Sequence, residues 1–81
     1  MKVRVRLFAV ARQLAGVGVI DVDLPRGATV SELRDAIRSQ FPDLAHLVRH
    51  TSFAVNTDYA QDETEIPDDA EIACIPPVSG G

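Results

Sequence analysis

Alternating apolar and polar positions predict two strands in the first third of the chain. In residues 2–7, valine and leucine alternate with lysine and arginine, and residues 19–24 alternate in the same way. This is the period of a half-buried strand. The segment 9–15 between them predicts a short helical turn that Gly16 closes. Residues 2–24 therefore predict a broad hairpin with a long connection.

One amphipathic helix is predicted after the turn at residues 25–27. Thr29, followed three residues later by Glu32, fits a capping box, which is a signature of a helix N-terminus. Pro42 disfavours helical geometry at the preceding residue, so the helix is expected to end there, and residues 43–49 are compatible with one further helical turn. The apolar positions recur every three or four residues and form one stripe: Val30, Leu33, Ala36, Ile37 and Phe41.

The remaining elements are strands. Residues 52–56 predict a third strand, residues 58–60 a short edge strand, and residues 71–75 a last strand after a polar stretch. A sheet with one helix across one face is the economical way to bury a single amphipathic helix. The first and last strands are expected to be parallel neighbours at the sheet centre. The sequence thus predicts an α+β fold of the ubiquitin-like β-grasp type, a mixed sheet of four or five strands with one main helix across one face.

Size and charge narrow the classes of function. Eighty-one residues make one domain, which is too small to enclose a substrate pocket as well as a core. Any chemistry is therefore expected to be shared with a partner. The formal net charge of −4 argues against nucleic acid as a partner. No signal peptide and no run of about 20 apolar residues is visible, so we expect a cytoplasmic protein with no membrane partner.

The two glycines that end the chain are the sharpest chemical feature. Gly80 and Gly81 follow a proline-stiffened run, and glycine, which has no Cβ, can pass through a narrow channel. A terminal α-carboxylate is ionised at neutral pH and unreactive, because it has no good leaving group. An ATP-dependent partner can convert it into an acyl-adenylate, from which a sulfur nucleophile displaces AMP. The alternative is a loose chain end that is rich in small residues.

Five short motifs, spread over the whole chain, resemble one family. They are residues 7–9 (LFA), 11–16 (ARQLAG), 28–30 (ATV) with Leu33, 55–56 (VN) and 68–81 (DDAEIACIPPVSGG). Together they resemble the small subunits of molybdopterin synthase, which are ubiquitin-like sulfur carriers. Thiamine-pathway carriers and ubiquitin-like modifiers share the β-grasp pattern and the Gly-Gly end, whereas the Pro-Pro-Val-Ser-Gly-Gly ending resembles the molybdopterin branch. One departure is that Asp69 stands where the family often has glycine, so aspartate must accept a turn that favours positive φ.

The resemblance implies a cycle of three stages. An ATP-dependent adenylating enzyme would activate Gly81, a sulfur donor protein would convert it to a thiocarboxylate, and the large subunit would use it to sulfurate cyclic pyranopterin monophosphate. The product is the dithiolene of molybdopterin. The family further implies a heterotetramer with the large subunit, no catalysis by this chain alone, no bound cofactor or metal, and ATP used only by the activating partner. Residues 1–81 would form one sulfur-carrier domain with residues 76–81 as a protruding tail.

Two other functions stay open. One is a carrier of another pathway, such as thiamine synthesis, or a protein modifier on the same fold. Seven arginines but only one lysine, Lys2, weigh against a modifier that builds chains on itself. The other is a non-catalytic interaction domain whose glycines form only a flexible end.

Apolar residues at unexpected strand positions predict the partner-binding surface. Phe8 shares its strand face with the cations of residues 2–6, Ile75 is out of phase with Ile72, and Tyr59 lies on the predicted edge strand. If they meet on the open face of the sheet, they form an exposed apolar patch of the kind that marks interfaces; alternatively, each belongs to the core. Gly81 is the predicted reacting residue. The predicted partner-binding residues are Phe8, Tyr59, Ile75, Pro76, Pro77, Val78, Ser79 and Gly80.

Other chemistry-bearing residues have a structural interpretation. Cys74, the only cysteine, excludes an internal disulfide and is interpreted as a small packed hydrophobe. His46 and His50 would share a helix face that Asp43 could join, but a solvated surface is favoured over a zinc site. The acidic stretch 62–71 is interpreted as solvation, with complementarity to a basic partner as the alternative.

Overall fold

The protein is described by a computed structural model that covers residues 1–77. Its strands are β1 (Lys2–Leu7), β2 (Val19–Asp23), β3 (Ser52–Val55), β4 (Asp58–Ala60) and β5 (Glu71–Ile75). Its helices are α1 (Ala9–Ala15) and α2 (Val30–Gln40), and 3-10 turns follow at Pro42–Leu44 and Leu47–His50. The five predicted strands and the main helix are confirmed to within one residue at each end.

The strands form one mixed sheet in the order β2-β1-β5-β3-β4. β1 pairs antiparallel with β2, which confirms the predicted hairpin. β1 and β5 run parallel, with Val5 opposite Ile72 and Leu7 opposite Cys74, as predicted for the sheet centre. β5 also pairs antiparallel with β3. The last strand of the chain is therefore held on both sides.

The helix α2 covers one face of the sheet because its apolar stripe needs an apolar partner surface. Val30, Leu33 and Ile37 are buried, and Thr29 and Glu32 form the predicted capping box. The core lies between this stripe and alternate strand residues that include Val5 and Ile72. The mixed five-stranded sheet with α2 across one face confirms the predicted β-grasp fold.

Among residues 1–77, no helix combines the length and the apolar character that crossing a bilayer requires.

Two turns each contain a residue with positive φ. Asp69 has φ +61°, so aspartate does occupy the left-handed region where the family often has glycine. Gly16 closes α1 with φ +76°, and its N–H donates to the carbonyl oxygen of Arg12. The sequence also predicted a single helical turn over residues 43–49, and this is wrong. Two 3-10 turns replace it, because Pro42 begins a new, tighter turn rather than extending α2.

Arg34 connects α2 to the 3-10 turns and to the loop after β4. Its guanidinium donates to the carbonyl oxygens of Val48 and Thr51, at 2.6 and 2.8 Å, and pairs with Asp62 at 2.8 Å. It also lies 5.0 Å from the ring centroid of Phe53, within range of a cation–π contact. The side chain is only 19% exposed. One buried cation thus holds α2, the 3-10 turns and the loop after β4 together.

Candidate functional site

The site is built on the face of the sheet that α2 does not cover. Strand residues alternate between the two faces, so the neighbours of the buried positions point to this open face. The registers align five of them in one row across all five strands. In strand order they are Val19, Arg6, Ala73, Ala54 and Tyr59.

Phe8 and Ile75 lie side by side at the end of the two central strands. Leu7 is opposite Cys74 in the parallel pair, which places the next residues of both chains together. The N–H of Phe8 donates to the carbonyl oxygen of Cys74 at 3.3 Å. Phe8 is 47% exposed and Ile75 is half-buried, so neither belongs to the fully buried core. The structure thus brings two of the three predicted patch residues together.

Tyr59 lies further along the same face. It is separated from Phe8 by three strand spacings, about 14 Å between backbones. Ala54 and Ala73 lie between Tyr59 and Arg6 in one row, whereas Phe8 and Ile75 lie two residues further along their strands; Tyr59 itself is 72% exposed. The three aromatic or aliphatic side chains therefore sit on one continuous surface of small and apolar residues. We call this surface the open-face patch, and it consists of Phe8, Ala54, Tyr59, Ala73 and Ile75.

The chain leaves the sheet at the edge of this patch. β5 is the central strand, and it ends at Ile75 beside Phe8. Pro76, the first residue of the expected tail, is buried, and Pro77 is exposed. The predicted site residues Val78, Ser79, Gly80 and Gly81 lie outside the described residues. The last described residues of the chain therefore emerge next to an exposed apolar surface.

Two arginines beside the patch were missed by the sequence reasoning. Arg6, Phe8, Arg12 and Gly18 contribute to a shallow cavity of about 150 Å³. Within residues 1–77, no carboxylate lies within 4.0 Å of either guanidinium. Gly18 borders the Arg12 side chain, and a Cβ at this glycine would lie at ordinary van der Waals distance, 3.5 Å, from the Arg12 Nε. The cations of β1 were visible in the sequence, but their meeting with Arg12 depends on the path of the 16–18 loop.

Cys74 faces the core, as interpreted from the sequence. It is buried opposite Leu7 and Phe53 in the central strands. Burial raises the pKa of the Cys74 thiol, and the opposing effects of a hydrogen bond with Thr51 and the charge of Arg34 are smaller. The thiol therefore stays protonated at neutral pH, and a protonated, buried thiol is a poor nucleophile.

The histidines are exposed and lie at separate places along the 3-10 turns. His46 precedes the turn Leu47–His50, and residues four apart do not share a face in 3-10 geometry as they do in an α-helix. The expected common helix face is therefore wrong. In the described part of the chain, no group of three His, Cys, Asp or Glu side chains is placed to hold a metal ion.

Part of the acidic stretch is paired within the molecule. Asp62 contacts Arg34, and Asp68 lies 3.7 Å from Arg26 on the surface. The pair with Asp68 is exposed, so it contributes little to stability. Asp62 has a structural role, because Arg34 anchors the 3-10 turns at the same time.

Known proteins resemble this chain over its whole length. The molybdopterin synthase sulfur carrier subunit of Arabidopsis thaliana is 35% identical over 81 residues, covering 100% of this chain and 84% of that protein. SAMP1 from Haloferax volcanii, a small archaeal modifier protein, superposes with a TM-score of 0.85 at 28% identity, covering 100% of both chains. A chain from the complex of subunits 1 and 2 of the molybdopterin-converting factor of Helicobacter pylori gives 0.68 at 26% identity, again covering 100% of both.

The same result comes from the comparison with whole families. The ThiS family model matches residues 5–81, which include β2 to β5, the second half of β1 and both glycines at the end. The open-face patch, the central β5 and the exit of the chain beside Phe8 all lie inside the matched region. This chain belongs to the ThiS family.

Proposed function

We propose that this chain is the sulfur carrier subunit of a molybdopterin synthase and that the α-carboxylate of Gly81 carries the sulfur. The observation that supports this most directly is the exit of the central strand β5 beside the open-face patch. A partner that binds the patch receives the end of the chain at a fixed place. Full-length similarity to a molybdopterin synthase sulfur carrier subunit supports the same assignment.

The first proposed step gives the Gly81 carboxylate the leaving group that it lacks. In the activating enzyme, a carboxylate oxygen of Gly81 attacks the α-phosphorus of ATP, which forms an acyl-adenylate and releases pyrophosphate. Hydrosulfide released by the sulfur donor then attacks the carbonyl carbon, the carbon–oxygen bond to AMP breaks, and the terminus becomes a thiocarboxylate as the proton of the hydrosulfide is lost to water. Adenylation supplies the energy, and this chain supplies only the carbonyl and its position.

Sulfur transfer completes the cycle in the large subunit. The thiocarboxylate sulfur forms a bond to a carbon of the pterin precursor while a carbon–oxygen bond at that carbon breaks, and the oxygen leaves as water or as a phosphate oxygen. Water then hydrolyses the resulting thioester, which leaves the sulfur on the pterin and returns the Gly81 carboxylate. A dithiolene contains two sulfur atoms and each carrier holds one, so two loaded carriers are consumed for each product. This stoichiometry agrees with an assembly that contains two copies of the carrier and two of the large subunit.

The described residues contribute docking rather than bond making. The open-face patch offers an apolar surface whose burial favours association, at about 25 cal/mol for each Å² removed from water. Arg6 and Arg12, without carboxylate partners in residues 1–77, are placed to meet acidic groups of a partner. Cys74 is not the sulfur carrier in this proposal, because it is buried and its pKa is raised.

A protein modifier is the second candidate, and the likeness to SAMP1 favours it. In that case the acyl-adenylate of Gly81 would be captured by a lysine amine of a target protein, which forms an isopeptide bond and releases AMP. The single lysine of this chain, Lys2, leaves little opportunity for chains built on itself. Attachment of one copy to a target is compatible with the same patch and tail.

One reconstitution tests the assignment to a molybdopterin synthase. Chemically prepared Gly81 thiocarboxylate, mixed with a molybdopterin synthase large subunit and cyclic pyranopterin monophosphate, is expected to yield the dithiolene without ATP. The unmodified chain is the control and should yield none. A variant that lacks Gly81 should fold normally and fail at the activation step, because residues 1–77 contain the packed core.

Two results would contradict the proposal. One is product formation by a thiazole synthase with the same thiocarboxylate and no dithiolene with the large subunit, which would assign the chain to the thiamine pathway. The other is retained dithiolene synthesis when the Gly81 deletion variant replaces the full chain in the complete pathway.

A further inference from the structure

We propose that the outer edge of β2 is a docking site for a short extended segment of a partner protein, in which an aliphatic side chain is flanked by lysine or arginine. β2 is the first strand in the sheet order, so one of its sides has no strand neighbour. The proposal is independent of the chemistry at Gly81. It rests on the backbone groups of this edge, the cavity beside it and the charges around it.

The side chain of Gln40 shows which backbone groups face outward. The N–H of Asp23 donates to the Gln40 Oε1 at 3.1 Å, and the Gln40 Nε2 donates to the carbonyl oxygen of Asp23 at 3.1 Å. Gln40 thus pairs with Asp23 as a residue of a neighbouring strand would. In an antiparallel ladder every second residue faces the same side, so Asp21 and Val19 also direct their N–H and C=O groups outward. Within residues 1–77, no hydrogen bond satisfies these groups.

An apolar cavity lies directly beside this edge. It has a volume of about 170 Å³. Its lining consists of Ala15, Val17, Ile20, Gln40, Phe41, Pro42, Asp43 and Leu44. A dry cavity of about 150 Å³ holds one benzene molecule, so this space accommodates one valine, leucine or isoleucine side chain.

Edge and cavity together match an added strand. A peptide that pairs with Val19 and Asp21 gains backbone hydrogen bonds, and its side chains point alternately to the two faces of the sheet. One side chain would enter the cavity between β2 and the end of α2. Its sequence neighbours would lie over the open face, next to Val19 and Asp21.

The acidic residues near the β2 edge favour lysine or arginine on either side of the aliphatic residue of the bound segment. Asp21 and Asp23 lie on the open-face side of the edge, and Asp43 lies at the cavity. Arg4 approaches Asp21 from β1 at only 3.9 Å, and the Asp21 side chain remains 58% exposed. A cation on an added strand would therefore reach the free side of Asp21, because opposite charges across neighbouring strands are favourable.

A second copy of this chain is a poor occupant. Pairing of two β2 edges about Asp21 would set two carboxylates against each other, which is unfavourable. Gln40 already occupies the edge at Asp23, so the open length is about 7 Å at about 3.4 Å per residue. A stable protein interface buries about 800 Å² on each partner, far more than such a short contact supplies. A linear peptide needs no such area.

The site is placed so that it need not compete with the tail. β2 is two strands from β5 and lies at the opposite side of the sheet from β4. The open-face patch is formed by β3, β4, β5 and Phe8, so a strand added to β2 extends the sheet away from the patch. A protein held at β2 can therefore stay bound while another partner holds the patch and the end of the chain.

The test is a titration of the full chain, labelled with ¹⁵N, followed by NMR. The probe is an acetylated and amidated heptapeptide of alternating arginine and isoleucine, and the control peptide has glutamate in place of arginine. We expect saturable shifts at the amides of Val17, Val19 and Asp21. The glutamate peptide should bind at least about tenfold more weakly, because it sets like charges against Asp21 and Asp23.

Two variants of one residue isolate the edge. Asp21→Asn removes the charge and keeps the outward N–H, whereas Asp21→Pro also removes the N–H without touching the bonds to β1. Asp21→Pro should bind the arginine peptide about tenfold more weakly than Asp21→Asn, since one hydrogen bond is lost and the proline ring blocks the approach. Val17→Asn places a neutral polar amide at the cavity mouth, on a side chain that is 50% exposed, without adding a carboxylate that would attract the arginine peptide, and it should also weaken binding about tenfold. It provides the decisive comparison if Asp21→Pro fails to fold.

Several outcomes would overturn the proposal. They are the absence of saturable shifts, shifts confined to the open-face patch, equal binding of the two peptides, and unchanged binding by Asp21→Pro and Val17→Asn. Shifts of the β2 amides on simple concentration of the protein would instead identify a second copy as the occupant.

Discussion

The two faces of the sheet are made by the same strands, yet they bury different amounts of their side chains. On the covered face, Val5, Ile72 and Phe53 are almost completely buried under α2. The open face carries exposed side chains, which include Arg6, the sequence neighbour of Val5, and Tyr59 on β4. The open face is itself divided, because β1 and β2 carry mostly charged residues there, whereas β3, β4 and β5 carry small or apolar ones apart from Glu71 at the start of β5.

This difference shows which apolar surface of the sheet the fold requires and which it does not. A sheet with one covered face needs only one apolar side, and its other side is usually polar. The charged half of the open face obeys this rule, and the apolar half departs from it. Exposed apolar surface that folding does not need is typical of a binding site. The contrast between the faces can be tested residue by residue.

The largest expected effect is on the covered face. Phe53→Ala should lower the free energy of unfolding by about 3–5 kcal/mol, since a fully buried aromatic side chain is lost and a cavity remains. The change also removes the ring beneath Arg34. Denaturant unfolding measures the loss, and Tyr59→Ala is the control from the open face. A loss below about 1 kcal/mol for Phe53→Ala, or an equal loss for both variants, would remove the distinction between the faces.

The next effect is on association rather than stability. Phe8→Arg should weaken binding to a molybdopterin synthase large subunit by about tenfold or more, because an unpartnered charge is placed in a desolvated apolar contact. The side chain is 47% exposed in the free protein, so the melting temperature should change little. Calorimetric titration gives the affinity.

Val19→Arg is the matched control for this prediction. Val19 is 42% exposed and lies on the open face, but in its charged half. It should bind the large subunit as the unchanged protein does. Equal weakening by both variants would show that the apolar half has no special role, and unfolding of Phe8→Arg would assign Phe8 to the core.

A smaller effect, which depends on pH, is expected at Cys74. Cys74→Ala should cost about 1 kcal/mol at neutral pH, because a buried sulfur is removed. The thiol pKa is raised above 9.0 in the folded state by burial, so the unfolded chain ionises first as pH rises. The stability that the protonated thiol provides is therefore complete below pH 9 and declines above it. The difference in the free energy of unfolding between the unchanged protein and Cys74→Ala should therefore shrink between pH 7 and pH 10.

Thermal unfolding of both proteins at several pH values measures this difference in stability. Groups other than Cys74 titrate alike in both proteins, so their contribution cancels in the difference. A constant difference across the range would show that the thiol ionises equally in both states. Sulfuration of Gly81 should persist in Cys74→Ala, and its loss in a folded variant would show that the thiol takes part in sulfur transfer.

The smallest effect concerns a turn outside both faces. Asp69→Gly should raise the free energy of unfolding by about 0.5 kcal/mol, because glycine relieves the cost of φ +61° but adds freedom to the unfolded chain. Asp68→Gly is the control; it has no positive φ to relieve and should be slightly destabilising. A melting temperature that falls in both variants would show that Asp69 is not strained.

Local patterns were enough to predict the elements, because each element depends on residues close in sequence. Their arrangement was predicted from the need to bury one amphipathic helix against a sheet. The Thr29–Glu32 box marks the helix start, and two-residue alternation marks the strands. The open-face position of Phe8 and Ile75 also followed from strand parity. Contacts made across the chain could not be predicted in this way. Arg34 meets carbonyl groups 14 and 17 residues away, and this depends on how the 3-10 turns fold back.

The same limit explains what was missed at the candidate sites. Arg6 and Arg12 face one cavity only because the loop returns at Gly18. The pairing of Gln40 with Asp23 depends on the angle at which α2 crosses the sheet. Both are consequences of packing geometry, to which a one-dimensional pattern is insensitive.

The parallel pairing of β1 with β5 has a consequence for biosynthesis. The two strands lie near opposite ends of the chain, and β5 occupies the middle of the sheet. During translation β1 emerges from the ribosome first and must wait for residues 71–75 before the sheet can close, so the domain folds late, through a contact of very high sequence separation. An incomplete chain lacks its central strand and exposes the core to proteolysis. Translation errors that truncate the chain before β5 are thus expected to be degraded rather than accumulate as folded domains without the residues that follow β5.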